Sequence, residues 1–217
     1  MKLTSVQYDA LVEIFNIAIS HAAVSLSRLM NEKVRLSSPL LNHFSVREAI
    51  ESLDGLSGFS DGHVAVVTQH FAGDIDTRAL LLFPPACAVD IVRIAVGGLV
   101  DEMLGIGHMD ATELQELEQE ALAEVGNILL NACISAFSHQ LRIDLQVAPP
   151  AYLLMSAEDL FASHAQSASD VVLMVHVELN IERHHISAYI AFLLDARAKR
   201  ALARAIDRSF FGVAHAS

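Results

Sequence analysis

A fixed offset of 111 in sequence number carries one part of this chain onto another, and no other property restricts the fold as much. Residues 9–16 read DALVEIFN and residues 120–127 read EALAEVGN. The same offset takes Ser27 to Ser138, Pro39 to Pro150, Ser45 to Ser156, Val66 to Val177, Leu82 to Leu193 and Arg93 to Arg204, with no insertion required. Two copies of one supersecondary unit are therefore expected, residues 1–108 and 109–217, packed about a pseudo-twofold axis within a single domain. The seam is placed near Met103-Leu104-Gly105-Ile106-Gly107, where two glycines interrupt the pattern.

Within each copy the periodicities predict the order α-β-α-β-β-α, an α/β (α+β) fold. Thr4-Ser5-Val6-Gln7 has capping-box form, and apolar residues then recur at Leu11, Phe15, Ala18, Ala22, Leu26 and Leu29. Asp110-Ala111-Thr112-Glu113 opens a second long helix in the same way. Residues 141–147 alternate with a period of two, so a short strand is expected to end near Pro149-Pro150, with Val34 and Leu36 in the matching places. Ser45 and Ser156 each read as the cap of a short helix. Strands are expected at 63–70, 78–83, 171–180 and 186–194, and closing helices near 86–97 and 196–208. The hairpin regions carry one glycine, Gly73, in the first copy and none in 180–186.

With 53% hydrophobic and 18% charged residues the chain has much to bury and needs no disulfide or metal as a staple. Its 14 Lys and Arg against 26 Asp and Glu give a net charge of −12, the wrong sign for nucleic-acid phosphates or an anionic membrane surface. The apolar runs at 86–100 and 121–137 are interrupted by Asp90, Arg93, Glu124, Asn127 and Asn131, so no membrane insertion is expected. Cys87 and Cys133 lack a CxxC or Cys/His context, which suits free buried thiols; with no signal peptide visible, a cytoplasmic location is expected.

At 100° per residue, Asp9, Glu13, Asn16 and Ser20 form one polar stripe on the first helix, and Glu120, Glu124, Asn127 and Asn131 form its counterpart on the second. Asn is a mediocre helix residue, and mid-helix it has no local structural reward. A carboxamide does not titrate near neutral pH, but it both donates and accepts hydrogen bonds, so its natural role is to hold a water. A Glu one turn away supplies an anion for a partner's cation. Together the pair makes sense as half of an enzyme: a reactive acyl phosphate held on another protein needs little more than an oriented water.

The pattern Glu13-x-x-Asn16-x22-Pro39, repeated as Glu124-x-x-Asn127-x22-Pro150, resembles the signature of the CheC-type chemotaxis phosphatases, relatives of CheX and FliY. The resemblance covers the full chain. It implies that the protein removes the aspartyl phosphate from a phosphorylated CheY-like response regulator. Asn16 and Asn127 would position the attacking water, and Glu13 and Glu124 would pair with the regulator's lysine. It also implies no cofactor of the chain's own, the Mg²⁺ residing in the phosphorylated partner. The family pattern begins with Asp or Ser four residues before the Glu, a place that Asp9 matches and from which Glu120 departs conservatively.

Two other functions remain open on the sequence. One is a binding module of the same scaffold, docking a phosphorylated receiver domain or the receptor-modifying protein CheD without turnover. The other is a metal site built on His63, His70, His184 and His185. The commonest hydrolase, kinase and dehydrogenase motifs are absent from the sequence.

Overall fold

A computed structural model describes residues 3–54, 63–95, 111–165, 170–181 and 184–212. The elements are α1 (Ser5–Leu29), β1 (Val34–Leu36), β2 (Leu40–Ser45), α2 (Val46–Asp54), β3 (His63–Gly73), β4 (Thr77–Phe83), α3 (Pro85–Ala95), α4 (Ala111–Leu141), β5 (Leu145–Val147), β6 (Ala151–Ser156), α5 (Ala157–His164), β7 (Val171–Ile181), β8 (His184–Leu194) and α6 (Ala196–Phe211). The seam expected at 103–107 and the Asp110 cap lie outside the described residues.

All eight strands form one antiparallel sheet, ordered β1-β7-β8-β4-β3-β5, with β2 also on β7 and β6 also on β3. Exchanging β1 with β5, β2 with β6, β3 with β7 and β4 with β8 leaves this pairing scheme unchanged. Its centre is the β4–β8 pairing, Arg78 opposite Leu193 through Leu82 opposite Tyr189. Each outer pair of short strands lies on the long strand of the other set of elements, as Leu41 opposite Val175 and Leu153 opposite Val66 show.

Strands β2 and β6 depart from the expected order, which had one short strand and then a helix. Pro39 separates β1 from β2 and Pro149-Pro150 separates β5 from β6, so each edge is one interrupted strand along a single neighbour. An edge tolerates proline because a missing N–H can face outward. Residues 40–45 (LLNHFS) do not alternate strictly; long-range pairing to β7 makes them a strand.

The helices and edge strands keep the offset of 111 in detail. Asn31 and Arg142, 111 apart, are the two non-glycine residues of positive φ in the described chain (50° and 52°), two residues past the end of α1 and one past the end of α4. Ser27 Oγ accepts from Val34 N and Ser138 Oγ donates to Ile143 O, each tying a helix end to the chain beyond it. Ser45 and Ser156 both accept from the backbone N–H three residues on.

The central hairpins do not keep that offset. Val66 pairs with Leu153, whereas Met174 pairs with Asn42, so the edge strands are related by 111 and the long strands by 108. Val66 pairs with Leu82 and Met174 with Ala191, which relates β4 to β8 by 109. Side-chain direction agrees: Val66 and Met174 face the same layer, while Val177, the residue 111 beyond Val66, faces the other. The gapless repeat read from the sequence therefore fails here, because a three-residue slip in a period-two element exchanges its faces.

The sheet is packed on both sides. One face carries α1, α3, α4 and α6 in the larger core, and the other carries α2 and α5 over Val64, Val66, Leu80, Leu82, Val172 and Met174. Phe15 of α1 meets Phe137 of α4 edge-on at 5.3 Å and Phe192 of β8 at 5.8 Å. Phe15 lies in the first half of α1 and Phe137 near the end of α4. The residue matching Phe15 in the repeat is Gly126, where α4 rides directly on β3: an added Cβ would stand 2.5 Å from Val67 Cγ1. Overpacking of this kind costs about 1–3 kcal/mol, against about 1 kcal/mol returned by helix propensity. Gly126→Ala is accordingly expected to lower the urea midpoint; a midpoint at or above wild type would show that α4 lifts off β3 at no cost.

Candidate functional site

Thr4 starts α1 with a reciprocal cap: its hydroxyl accepts from Gln7 N at 3.2 Å, and its own N–H donates to Gln7 Oε1 at 3.0 Å. From that start a 3.6-residue period turns Leu11, Ile14, Phe15, Ala18, Ala22 and Leu26 into the core. The same turn leaves Asp9 and Glu13 exposed and Asn16 half-buried. On α4, Leu122, Val125, Leu129, Leu130 and Cys133 go inward, Glu120 and Glu124 are exposed, and Asn127 is half-buried. Burial pushes the Cys133 thiol up to about 12, so it is an inert core group.

By length and composition α1 and Gln119–Leu141 of α4 could each cross a membrane. Their apolar sides lie instead in the shared core, packed against each other and the sheet.

Both candidate pairs thus combine an outward Glu with an Asn seated one turn along at the edge of the core. They occupy convex helix faces. None of the four residues lines a described cavity: one cavity lies between α1 and α4 beside Ile17, His21, Ser135 and His139, and a polar one of about 330 Å³ is lined by His70, Asp76, Arg78, His164, Asp170 and Arg197. Burial, aided by the Arg78 charge, lowers the His164 pKa there.

The two pairs differ in one contact. Asn131 Nδ2 donates to Asn127 Oδ1 at 2.6 Å, whereas Ser20, its counterpart on α1, donates its hydroxyl to the backbone oxygen of Asn16 at 2.8 Å. Asn127 is therefore held in one amide orientation with its NH₂ group turned away from Asn131. The only sequence signal for this difference is the change of residue type at matching places in the two stripes.

The four histidines weighed as metal ligands do not converge: His184 and His185 are adjacent at the start of β8. His63 and His70 stand near opposite ends of β3; His70 Nε2 is paired with Asp76 Oδ1 at 2.9 Å, and His185 Nδ1 with Asn180 Oδ1. Among the described residues no three His, Cys, Asp or Glu side chains converge on a possible metal position.

No family model matches the sequence. Among solved structures, Thermotoga maritima FliY aligns with a TM-score of 0.72 at 20% identity, over 96% of this chain and 100% of that one. FliM of H. pylori, in a complex with SpeE, aligns at 0.67 and 11% identity over 98% of this chain and 100% of that one. The chemotaxis protein CheX of Desulfovibrio desulfuricans aligns at 0.51 and 15% identity over 84% of this chain and 99% of that one. This chain has the FliY, FliM and CheX fold.

Asn16 and Asn127 sit at the surface with water available to any group left behind, so Asn16→Ala and Asn127→Ala are each expected to change stability by no more than about 0.5 kcal/mol. Denaturant melts of both variants check this. A loss several times larger would make these residues structural.

Proposed function

We propose that this protein is a CheC-type phosphatase that hydrolyses the aspartyl phosphate of a CheY-like response regulator. The observation that carries the proposal is the twofold occurrence of an exposed Glu and a half-buried Asn three residues apart on α1 and on α4. The likeness in fold to a chemotaxis protein, CheX, supports it. A convex helix face suits a substrate that is itself a protein, because the helix can enter a partner's cleft.

In that encounter Glu13 or Glu124 pairs with a lysine beside the partner's phosphoryl group. Asn16 or Asn127 then orients a water for in-line attack, its oxygen accepting from the water and its NH₂ donating to the developing charge. The bond between phosphorus and the partner's aspartate oxygen breaks as the water oxygen joins phosphorus; the aspartate leaves as a carboxylate and the water's proton departs with the phosphate. No titrating group on this chain takes the proton, so the single-turnover rate in the saturated complex should stay nearly flat between about pH 6 and 8.

Dephosphorylation of candidate regulators tests the assignment. Removing one water-positioning amide should cost its site about 10²–10³ in rate, so each single Ala variant keeps the other site's activity and the Asn16→Ala/Asn127→Ala double variant loses nearly all. Asn127, oriented by Asn131, is the better prepared, so Asn127→Ala should cost more of the total than Asn16→Ala. Asn-to-Asp variants should not rescue, because a carboxylate lacks the donor and repels the phosphoryl oxygens. Glu13→Gln and Glu124→Gln should mainly raise KM. A fully active double Asn variant ends the catalytic assignment.

A second reading is binding without turnover. The likeness to FliM in its complex with SpeE favours it, since that partner is held by the same fold. Here the regulator or CheD would be the bound protein, and phosphate release would equal the regulator's own rate with or without this chain.

A further inference from the structure

Helix α6 carries five of the chain's 14 Lys and Arg and one of its 26 acids, leaving nine cations against 25 acids over the rest of the sequence. Four of these cations, Arg197, Arg200, Arg204 and Arg208, are exposed and follow one another at steps of three, four and four. At 100° per residue they fall, with Phe211, within about 80° of one another, along a line of about 21 Å. The opposite side of the helix is closed: Ala198, Leu202, Ala205 and Ile206 lie in the core. At its first turn the line meets the polar cavity, where Arg197 stands among Asp74, Asp76, Asp170 and Asp195. Among the described residues no salt bridge reaches Arg200, Arg204 or Arg208. The one acid of α6, Asp207, accepts from Gln7 Nε2 of α1 at 2.8 Å.

This arrangement works against the helix that bears it. Arg200, Arg204 and Arg208 are like charges at i,i+4, which destabilise a helix by a few tenths of a kcal/mol per pair, and Arg197 sits at the end where the helix dipole favours anions. A glutamate in place of Arg204 would remove both repulsive pairs, and one in place of Arg197 would suit the dipole. The line ends instead in Phe211, 42% exposed, with Phe210, 39% exposed, on its flank.

We propose that the outer face of α6 is a docking surface for an acidic protein segment, whose carboxylates pair with Arg200, Arg204 and Arg208 and whose apolar socket receives Phe211. Arg in place of Lys suits carboxylates, which its fork binds through two parallel hydrogen bonds. Arginines beside an exposed aromatic also match the composition of interface anchors. A lipid surface is the poorer fit because the apolar side of α6 is already buried, and a net charge of −12 opposes approach to the dense charge of nucleic acid. The surface is separate from Glu13, Asn16, Glu124 and Asn127 and does not depend on turnover.

The test uses the full chain and three probes: a labelled helical peptide with Glu at i, i+4 and i+8 beside a Leu stripe, vesicles of phosphatidylcholine and phosphatidylserine mixed two to one, and a DNA duplex. The peptide is expected to bind, more weakly as salt rises, with Kd raised at least tenfold by Arg200→Glu, by Arg204→Gln and by Phe211→Ser. Arg200→Glu should hold or raise the melting temperature, since a Glu four residues before Arg204 relieves the repulsion. Preference for vesicles or DNA, absence of peptide binding, peptide binding indifferent to these variants, or a lowered melting temperature for Arg200→Glu would each overturn the proposal.

Discussion

The pairing of β4 with β8, and of each broken edge strand with the long strand of the other set of elements, is the constraint from which the rest of the molecule follows. Without β7, β1 and β2 would have no hydrogen-bonded neighbour, and without β3 neither would β5 and β6. Unpaired backbone groups of that kind are expensive to bury. The exchange therefore ties the two sets into one sheet and brings α1 and α4 together on one side of it. Their contact through Phe15 and Phe137 fixes how the two polar stripes are presented.

Much of this was legible in the sequence where local chemistry decides structure. The long helices announced themselves through the Thr4 capping box and the apolar period, and the short ones through Ser45 and Ser156. The candidate site was legible for the same reason: Glu13, Asn16, Glu124 and Asn127 interrupt an otherwise apolar helical pattern, so their exposure is a matter of angle alone. What the sequence concealed was non-local. Residues 40–45 become a strand through partners more than 100 positions away, and the offset of 108 between β3 and β7 exists only in the register of their pairing. The Asn131–Asn127 contact is local in the chain, but its meaning appears only beside Ser20, which turns to the backbone instead.

The matching elements are not copies in their packing. Where α1 inserts the largest side chain of its buried face, Phe15, α4 has Gly126 and rests its backbone on Val67. One long helix is held by an aromatic wedge and the other by direct approach to the sheet, so their flanking polar residues sit in different mechanical settings. That difference, with the Asn131 contact, means that the two candidate pairs share residue types but not their surroundings.

The exchanged edges also bear on how the chain is made. During synthesis β1, β2 and β3 leave the ribosome long before β7 and β6 exist, so the first half of the chain carries an incomplete sheet with open edges. Leu41 must wait for Val175, a separation that places the decisive closure near the end of translation. Until then the emerging segment has the character of half a dimer without its mate. A cell producing this protein must shield that edge or complete the chain quickly.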